Sequence, residues 1–111
     1  MQPFLLPSQQ TPDNGSGDRK LNKFFKALSD ETRREILHLL RGRDHSVGEI
    51  VNNFELSQPT ISRHLSVLKE ADLVVDRRRG QHVFYRLNEE SLASSVQHYF
   101  GSFNGFREFL P

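Results

Sequence analysis

The chain of 111 residues has no cysteine, no tryptophan and a single methionine. Without cysteine it can form neither a disulfide nor a thiolate metal site, and it cannot sense oxidants through a thiol. No apolar run approaches the roughly 18 to 20 residues that a membrane-spanning helix needs. The first residues also lack the basic segment followed by an apolar core that marks a secretory signal. These absences make the cytoplasm the expected compartment, with no membrane partner.

Sequence motifs of catalysis are missing too. The chain has no glycine-rich phosphate loop and no nucleophile elbow. Every possible acid–base pair is better explained as a helix cap or a surface charge. Five histidines raise the question of a metal, but no two have the four-residue spacing of ligands on one helix face. They are His38, His45, His64, His82 and His98. We therefore expect no enzyme activity, no cofactor and no metal site.

The positive charge of the chain is concentrated in one region. With 35% hydrophobic residues, the chain is long enough for one core and too short for two, and its net charge is only +1. Residues 57–87 contain six Arg or Lys against three Asp or Glu, whereas residues 88–111 contain one against three and residues 1–56 contain eight of each. A local excess of this kind, although modest, is expected of a surface that meets phosphate on one side only.

The first 18 residues differ in composition from the rest. Three prolines, two glycines and several Gln, Ser and Asn leave little apolar surface to offset the entropy lost on ordering. We predict a disordered tail over residues 1–18 and one domain over residues 19–111. The domain starts with a helix, because large apolar residues recur at three- and four-residue spacing between residues 21 and 28. A second helix follows, with its cap in residues 29–32 and Gly42 at its end.

Residues 57–71 have the pattern of a helix with one polar side, here called the recognition helix. Ser57 can cap it, and Pro59 fits its first turn, where the missing N–H is not needed. An apolar stripe from Ile61 to Leu68 faces the core. The opposite face carries short or forked hydrogen-bonding side chains, which are suited to reading base edges.

Another short helix lies just before the recognition helix. Ser46 and Glu49 form a capping-box pattern that leads into an apolar stripe ending near Phe54. Only two residues then separate this stripe from the cap at Ser57. Two helices joined by so tight a turn indicate a helix-turn-helix, whose second helix enters the DNA major groove.

The hydrophobic period changes from 3.6 to 2 after the recognition helix. Residues 73–78 and 82–87 are rich in β-branched and aromatic residues, and Gly80 supplies the turn between them. This pattern predicts a β-hairpin, the wing, that packs one face of its second strand, including Tyr85 and Leu87, on the helices. The arginines at its tip are suited to a phosphate backbone or a minor groove.

We predict DNA contacts from the polar face of the recognition helix, the wing tip and Ser46, the capping serine of the preceding helix. The residues are Ser46, Ser57, Gln58, Pro59, Thr60, Ser62, Arg63, His64, Arg77, Arg78, Arg79 and Gln81. A solvated helix face and an ordinary hairpin tip are the alternatives. For His64, at the flank of the apolar stripe, the alternative is a partly buried structural histidine.

A last helix begins after Asn88 and carries a long aromatic stripe. Because the earlier elements already make a core, this stripe and that of the first helix favour a surface for a partner, most economically a second copy. The predicted dimer contacts are Leu21, Phe24, Phe25, Leu28, Leu92, Val96, Tyr99, Phe100, Phe103 and Phe106. A two-fold dimer places two recognition helices about 34 Å apart, matching an inverted-repeat operator in double-stranded DNA. The alternative is that the stripe completes the core of a single chain.

Three motifs together resemble those of the ArsR family of bacterial winged-helix transcriptional repressors. They are FKALSDETRREIL at residues 25–37, SxxTISxHLxxL at residues 57–68 and RGxxxxY at residues 79–85. The resemblance implies a mainly α-helical winged helix-turn-helix fold, with four helices, a two-stranded wing and a fifth helix. It also implies a homodimer formed through the first and last helices, an operator near the regulated promoter, and repression by blocking polymerase.

The metal sites of that family are not matched here. Where many members have a Cys-x-Cys pair, residues 46–49 read Ser-Val-Gly-Glu, and the last helix has a lone His98 without a second ligand three residues later. The chain therefore resembles the metal-independent, autorepressor-like branch, and its inducer is undefined. A winged-helix protein-interaction module and a small-ligand sensor of the same fold are the alternative functions.

Overall fold

The structure of the protein is a computed structural model that describes residues 16–103 and Gly105. The helices in this part are α1 (Ser16–Leu28), α2 (Glu31–Leu39), α3 (Val47–Asn52), α4 (Gln58–Glu70) and α5 (Glu89–Phe100), and the strands are β1 (His45–Ser46), β2 (Val74–Arg79) and β3 (His82–Leu87). This order confirms the predicted mainly helical architecture with a wing. Of the tail predicted to be disordered, residues 1–15 lie outside the described residues, as does the predicted dimer contact Phe106. Residues 16–18 of that tail belong to α1, so the prediction is wrong for them.

Local side-chain caps set where the helices begin. The Ser46 hydroxyl accepts a hydrogen bond from the Glu49 N–H (3.1 Å), and the Glu49 carboxylate accepts one from the Ser46 N–H (2.9 Å). This confirms the predicted capping box, and the second bond lowers the pKa of Glu49. Asn88 caps α5 by accepting from the Ser91 N–H (3.2 Å), as its position predicted.

Two helix boundaries differ from the prediction. The first helix begins at Ser16, three residues before the expected start at residue 19, and α3 ends at Asn52, two residues before Phe54. The link from α3 to the cap of α4 is therefore longer than the two residues expected. Helix ends depend on which backbone groups find partners, so an apolar stripe alone does not fix them.

The core lies where the first four helices meet the base of the wing. Its largest fully buried side chains are Phe24, Ile36, Leu40, Ile50, Ile61, Leu65, Leu68, Leu73 and Val74. The apolar stripe of the recognition helix is thus confirmed. Phe24, predicted at a dimer surface, is only 1% exposed and belongs to the core of the single chain. Its neighbour Phe25 points about 100° away around the helix and is 39% exposed.

The wing belongs to a three-stranded antiparallel sheet with the order β1, β3, β2. The register pairs Arg79 with His82, so the turn consists of two residues, and Gly80 adopts a φ of +61° there. Strand β1 was not predicted; it pairs His45 with Tyr85. Two residues are too few to show a period in the sequence, so only the long-range pairing reveals this strand.

The junction between α4 and the wing is a Schellman turn. The Leu73 N–H donates to the Leu68 carbonyl (3.0 Å) and the Asp72 N–H to the Lys69 carbonyl (2.9 Å). Asp72 takes the left-handed position at φ +64°, where glycine is usual. This turn fixes the direction in which the wing leaves the recognition helix.

Candidate nucleic-acid interface

One face of α4 is open to solvent along its N-terminal half. Gln58, Pro59, Ser62 and Arg63 are all exposed on it. No hydrogen bond or ion pair within the described residues occupies the side chains of Gln58, Ser62 or Arg63. Free amide, hydroxyl and guanidinium groups in this arrangement can form the paired hydrogen bonds by which proteins distinguish adenine and guanine edges.

The first turn of α4 is held by two hydroxyl groups that were predicted as DNA contacts. The Ser57 Oγ accepts from the Thr60 N–H (3.3 Å) and lies 2.9 Å from the Thr60 Oγ1. Both groups therefore fix the start of the helix. Each hydroxyl still has capacity for one more hydrogen bond, because it can both donate and accept.

His64 faces the body of the protein rather than the open face of α4. Its side chain is 17% exposed, and its Nδ1 lies 3.2 Å from an Arg33 Nη1 and 3.7 Å from the Asp30 carboxylate. The guanidinium can only donate, so its contact with Nδ1 is a hydrogen bond only in the ring form whose proton lies on Nε2. This geometry favours the alternative of a structural histidine over a DNA contact.

Arg33 joins three helices, and sequence reasoning did not single it out. Besides His64 on α4, it donates through Nε to the Ala27 carbonyl (2.9 Å) and through Nη2 to the Lys26 carbonyl (2.8 Å), at the end of α1. Partial burial acts to raise the pKa of Asp30, but the Arg33 N–H bond and the nearby positive charges outweigh it and lower that pKa. The network keeps α4 in a fixed position relative to α1 and α2.

The wing arginines divide between the two faces of the sheet. Side chains alternate along β2, so Arg77 and Arg79 lie on the face away from the helices and Arg78 on the other. All three are exposed, as is Gln81 in the turn. The Arg79 guanidinium stacks 4.9 Å from the centre of the Phe84 ring.

Asp44, which was not predicted, binds two arginines of this outer face. Its carboxylate accepts from Arg86 at 2.9 and 3.2 Å and from Arg79 at 3.1 Å. The hydrogen bond from Arg86 is the largest cause that lowers the pKa of Asp44, the charges of Arg86, Arg79 and Arg77 add to it, and burial opposes them. The partners lie 35 and 42 positions apart in the chain, so no local pattern indicates the contact.

A further ion pair connects the wing directly to α4. The Lys69 Nζ lies 3.0 Å from the Asp76 carboxylate on β2. Together with the Schellman turn, this contact holds the wing beside the recognition helix. The Ser46 hydroxyl, a further predicted DNA contact, lies half-buried in its capping box.

A cluster of aromatic side chains joins α1 and α5 at the surface. The Tyr99 ring contacts Phe25, Phe100 and Phe103 edge-on, with centroid distances of 4.8, 5.1 and 5.4 Å. The three phenylalanines are 39%, 37% and 53% exposed. We call these four residues the aromatic cluster; large rings exposed together are typical of a protein interface.

The remaining predicted dimer contacts lie deeper than the aromatic cluster. Leu28, Leu92 and Val96 pack against the core, and Leu21 is half-buried. They can support a dimer surface, but most of their area is already covered by the chain itself.

Across the described residues, no three histidine or acidic side chains come close enough together to hold a metal ion. In the same part of the chain, no helix is long and apolar enough to cross a membrane.

Comparison with known proteins shows a family and individual regulators to which the chain is similar. The family described as bacterial regulatory protein, arsR family, matches residues 30–75. The transcriptional repressor SdpR of Bacillus subtilis is 47% identical over 76 residues, which are 68% of this chain and 84% of that protein. The arsenic resistance transcriptional regulator ArsR1 of Pseudomonas putida is 51% identical over 67 residues, which are 60% of this chain but only 52% of that protein.

Solved structures agree with the fold. The ArsR-like transcriptional regulator from Rhodococcus sp. RHA1 superposes with a TM-score of 0.70 at 30% sequence identity, covering 79% of this chain and 85% of the other. The predicted winged helix-turn-helix fold and the predicted resemblance are therefore confirmed.

Proposed function

Because the chain belongs to the arsR family of bacterial regulatory proteins and is a DNA-binding transcriptional regulator, we propose that it is a homodimeric cytoplasmic repressor that binds an inverted-repeat operator. The observation that carries the proposal is the open face of α4. Gln58, Ser62 and Arg63 lie there without partners in the described chain, on a helix whose rotation is fixed by its buried stripe. A rigid helix presenting free polar groups is what base reading requires.

The residues of this surface take different roles. Gln58 and Arg63 read base edges in the major groove, with Ser62 between them. Ser57, Thr60 and the half-buried Ser46 position the backbone of the DNA, and Pro59 contributes an apolar contact. The wing residues Arg77, Arg78, Arg79 and Gln81 bind phosphate and the adjacent minor groove, which supplies affinity rather than sequence preference. His64 acts indirectly, by holding α4 against α2.

The aromatic cluster supports the homodimer. Three exposed phenylalanine rings beside Tyr99 would leave a large apolar surface in water if the chain were alone. A two-fold axis through this cluster covers the rings of both copies with each other. Binding to an inverted repeat requires that the same axis set the two α4 helices about 34 Å apart, one turn of B-DNA.

Repression is favoured over activation because a similar protein, SdpR, is a transcriptional repressor. Occupation of a promoter by a dimer that spans two grooves blocks polymerase without any further contact. The inducer is not a metal held by thiolates of these residues, since the chain has no cysteine.

Selection of bound duplexes from randomised DNA, followed by gel-shift titration, tests the proposal. We expect an enriched inverted repeat whose half-sites lie about 10 base pairs apart. Gln58→Ala should reduce the preference for this sequence by about 1 to 3 kcal/mol, because a base contact is lost. Lys23→Gln, an exposed change on α1, is the matched control and should leave the preference unchanged.

Two outcomes would contradict the proposal. If no sequence is enriched and no shift occurs even at low salt, the fold serves as a protein-interaction module. If Gln58→Ala and Lys23→Gln have the same effect, α4 is not the reading element.

A further inference from the structure

An exposed leucine lies next to the open face of α4 and has none of the roles proposed above. Five large apolar side chains of the described residues are exposed, and three of them belong to the aromatic cluster. Leu56, 39% exposed, is another, and it lies directly before Ser57, the residue that caps α4. Single exposed leucines are common on protein surfaces, so exposure alone indicates nothing. Leu56 differs from them because it lies at the end of the helix proposed to read bases.

The protein itself does not cover this leucine. The residue before a helix cap often packs on the fourth residue of the helix, which here is Ile61. Ile61 is completely buried, yet Leu56 keeps more than a third of its surface exposed. Pro59, in the first turn of α4, is exposed as well. Two apolar side chains are therefore available to a partner at this end of the helix.

The same end of α4 carries no charge. Residues 56–62 contain no acidic or basic side chain, and the first cation of the helix is Arg63. Arginine and lysine are the usual partners of guanine, whereas the amide of Gln58 matches the N6 and N7 groups of adenine. An A·T pair is therefore the fitting partner for this end of the helix. In the major groove its thymine presents a 5-methyl group, which is the apolar group among the base edges.

We propose that Leu56 packs against the 5-methyl group of a thymine in each operator half-site, beside the adenine read by Gln58, and is a specificity-determining residue. The inference rests on the proposed function, because α4 must enter the major groove for this contact to form. Pro59 continues the apolar surface on which the methyl group lies. Two copies of the chain make two such contacts, one in each half-site.

Replacement of single thymines by deoxyuridine tests the contact, because it removes only the methyl group and leaves the base pairing unchanged. Each thymine in one half-site of the selected operator is replaced in turn, and the duplexes are titrated by fluorescence anisotropy. We expect a position at which the affinity falls about fourfold, the effect of losing one buried methyl group at about 0.8 kcal/mol. In Leu56→Ser the same replacement should have no effect, whereas Leu56→Met, which keeps an apolar side chain, should retain most of the loss.

Val75→Ser is the matched control. Val75 is 44% exposed on β2, so the change also removes an exposed apolar side chain, but from the wing and not from the end of α4. It should leave the loss at the thymine position intact. The measured quantity is the ratio of two affinities obtained with one protein sample, so partial unfolding of a variant cancels out.

The inference is overturned if the half-sites contain no thymine, or if the operator binds equally well with deoxyuridine at every thymine position. Either outcome leaves the proposed function standing. The inference is also overturned if the loss persists in Leu56→Ser, since another side chain then contacts the methyl group, or if Val75→Ser abolishes the loss as well. Failure to select any operator would instead refute the proposed function and this inference with it.

Discussion

Asp44→Asn gives the most direct test of how the wing is used. In the structure one carboxylate neutralises two arginines of the outer sheet face, since it accepts three hydrogen bonds from Arg79 and Arg86. Removing this negative charge frees the two guanidiniums for phosphate and raises the net charge from +1 to about +2. DNA binding should therefore become more sensitive to salt.

The size of the effect follows from counterion release. Each phosphate neutralised adds about 0.9 to the slope of log K against log salt, so one further contact multiplies the affinity lost between 50 and 200 mM salt by about 3.5. We expect Asp44→Asn to steepen the slope by about 0.9 to 1.8, for one or two added contacts. Arg77→Gln, which removes an exposed arginine from the same face, should make the slope shallower by about 0.9.

Fluorescence anisotropy with a labelled duplex at several salt concentrations measures these slopes. The sequence of the duplex need not be the operator, because the phosphate contribution does not depend on sequence. If Asp44→Asn leaves the slope unchanged while the protein remains folded, the outer face of the wing does not meet DNA. A shallower slope would mean that Asp44 orders the arginines for binding rather than competing with phosphate.

Three further predictions concern single contacts. Ser46→Ala removes the capping-box hydroxyl and should lower the free energy of unfolding by about 1 kcal/mol, measured by urea titration. An unchanged free energy of unfolding would contradict the capping role of Ser46. Asp72→Gly relieves the left-handed backbone and should stabilise the fold by about 1 kcal/mol, measured in the same way; destabilisation would contradict the Schellman assignment. Arg86→Gln should return the pKa of Asp44 toward its ordinary 3.8, followed by carboxyl NMR. Because the pKa of Asp44 is lowered on folding, its ion pairs stabilise the fold above pH 3.8, and this stabilisation is lost as the pH falls through the folded pKa. In the unsubstituted protein, a titration midpoint of Asp44 at or above 3.8 would refute the contact.

Features that depend on neighbouring residues were predictable from the sequence. The capping box at Ser46, the caps at Ser57 and Asn88, and the turn at Gly80 all follow from the backbone needs of a helix start or a two-residue hairpin. The apolar stripe of α4 was predictable because helical spacing places its members on one face. These local features were enough to define the helix-turn-helix and the wing.

Features that depend on distant residues were not predictable in the same way. The ion pairs of Asp44 and the links made by Arg33 require knowing which elements meet, and both residues look like ordinary surface charges in the sequence. The same reason applies to His64, because its position at the flank of a stripe does not reveal that Arg33 lies beside it. Phe24 and Phe25 show the limit of periodicity, since both fit an apolar stripe and only packing decides which is buried.

Hydroxyl-radical footprinting of the selected operator, combined with the mass of the complex from sedimentation, shows whether two chains bind one operator. We expect two chains on one duplex and two protected regions about one helical turn apart, related by two-fold symmetry. A complex containing one chain and a single protected region, or a duplex left unprotected at saturating protein, would contradict it.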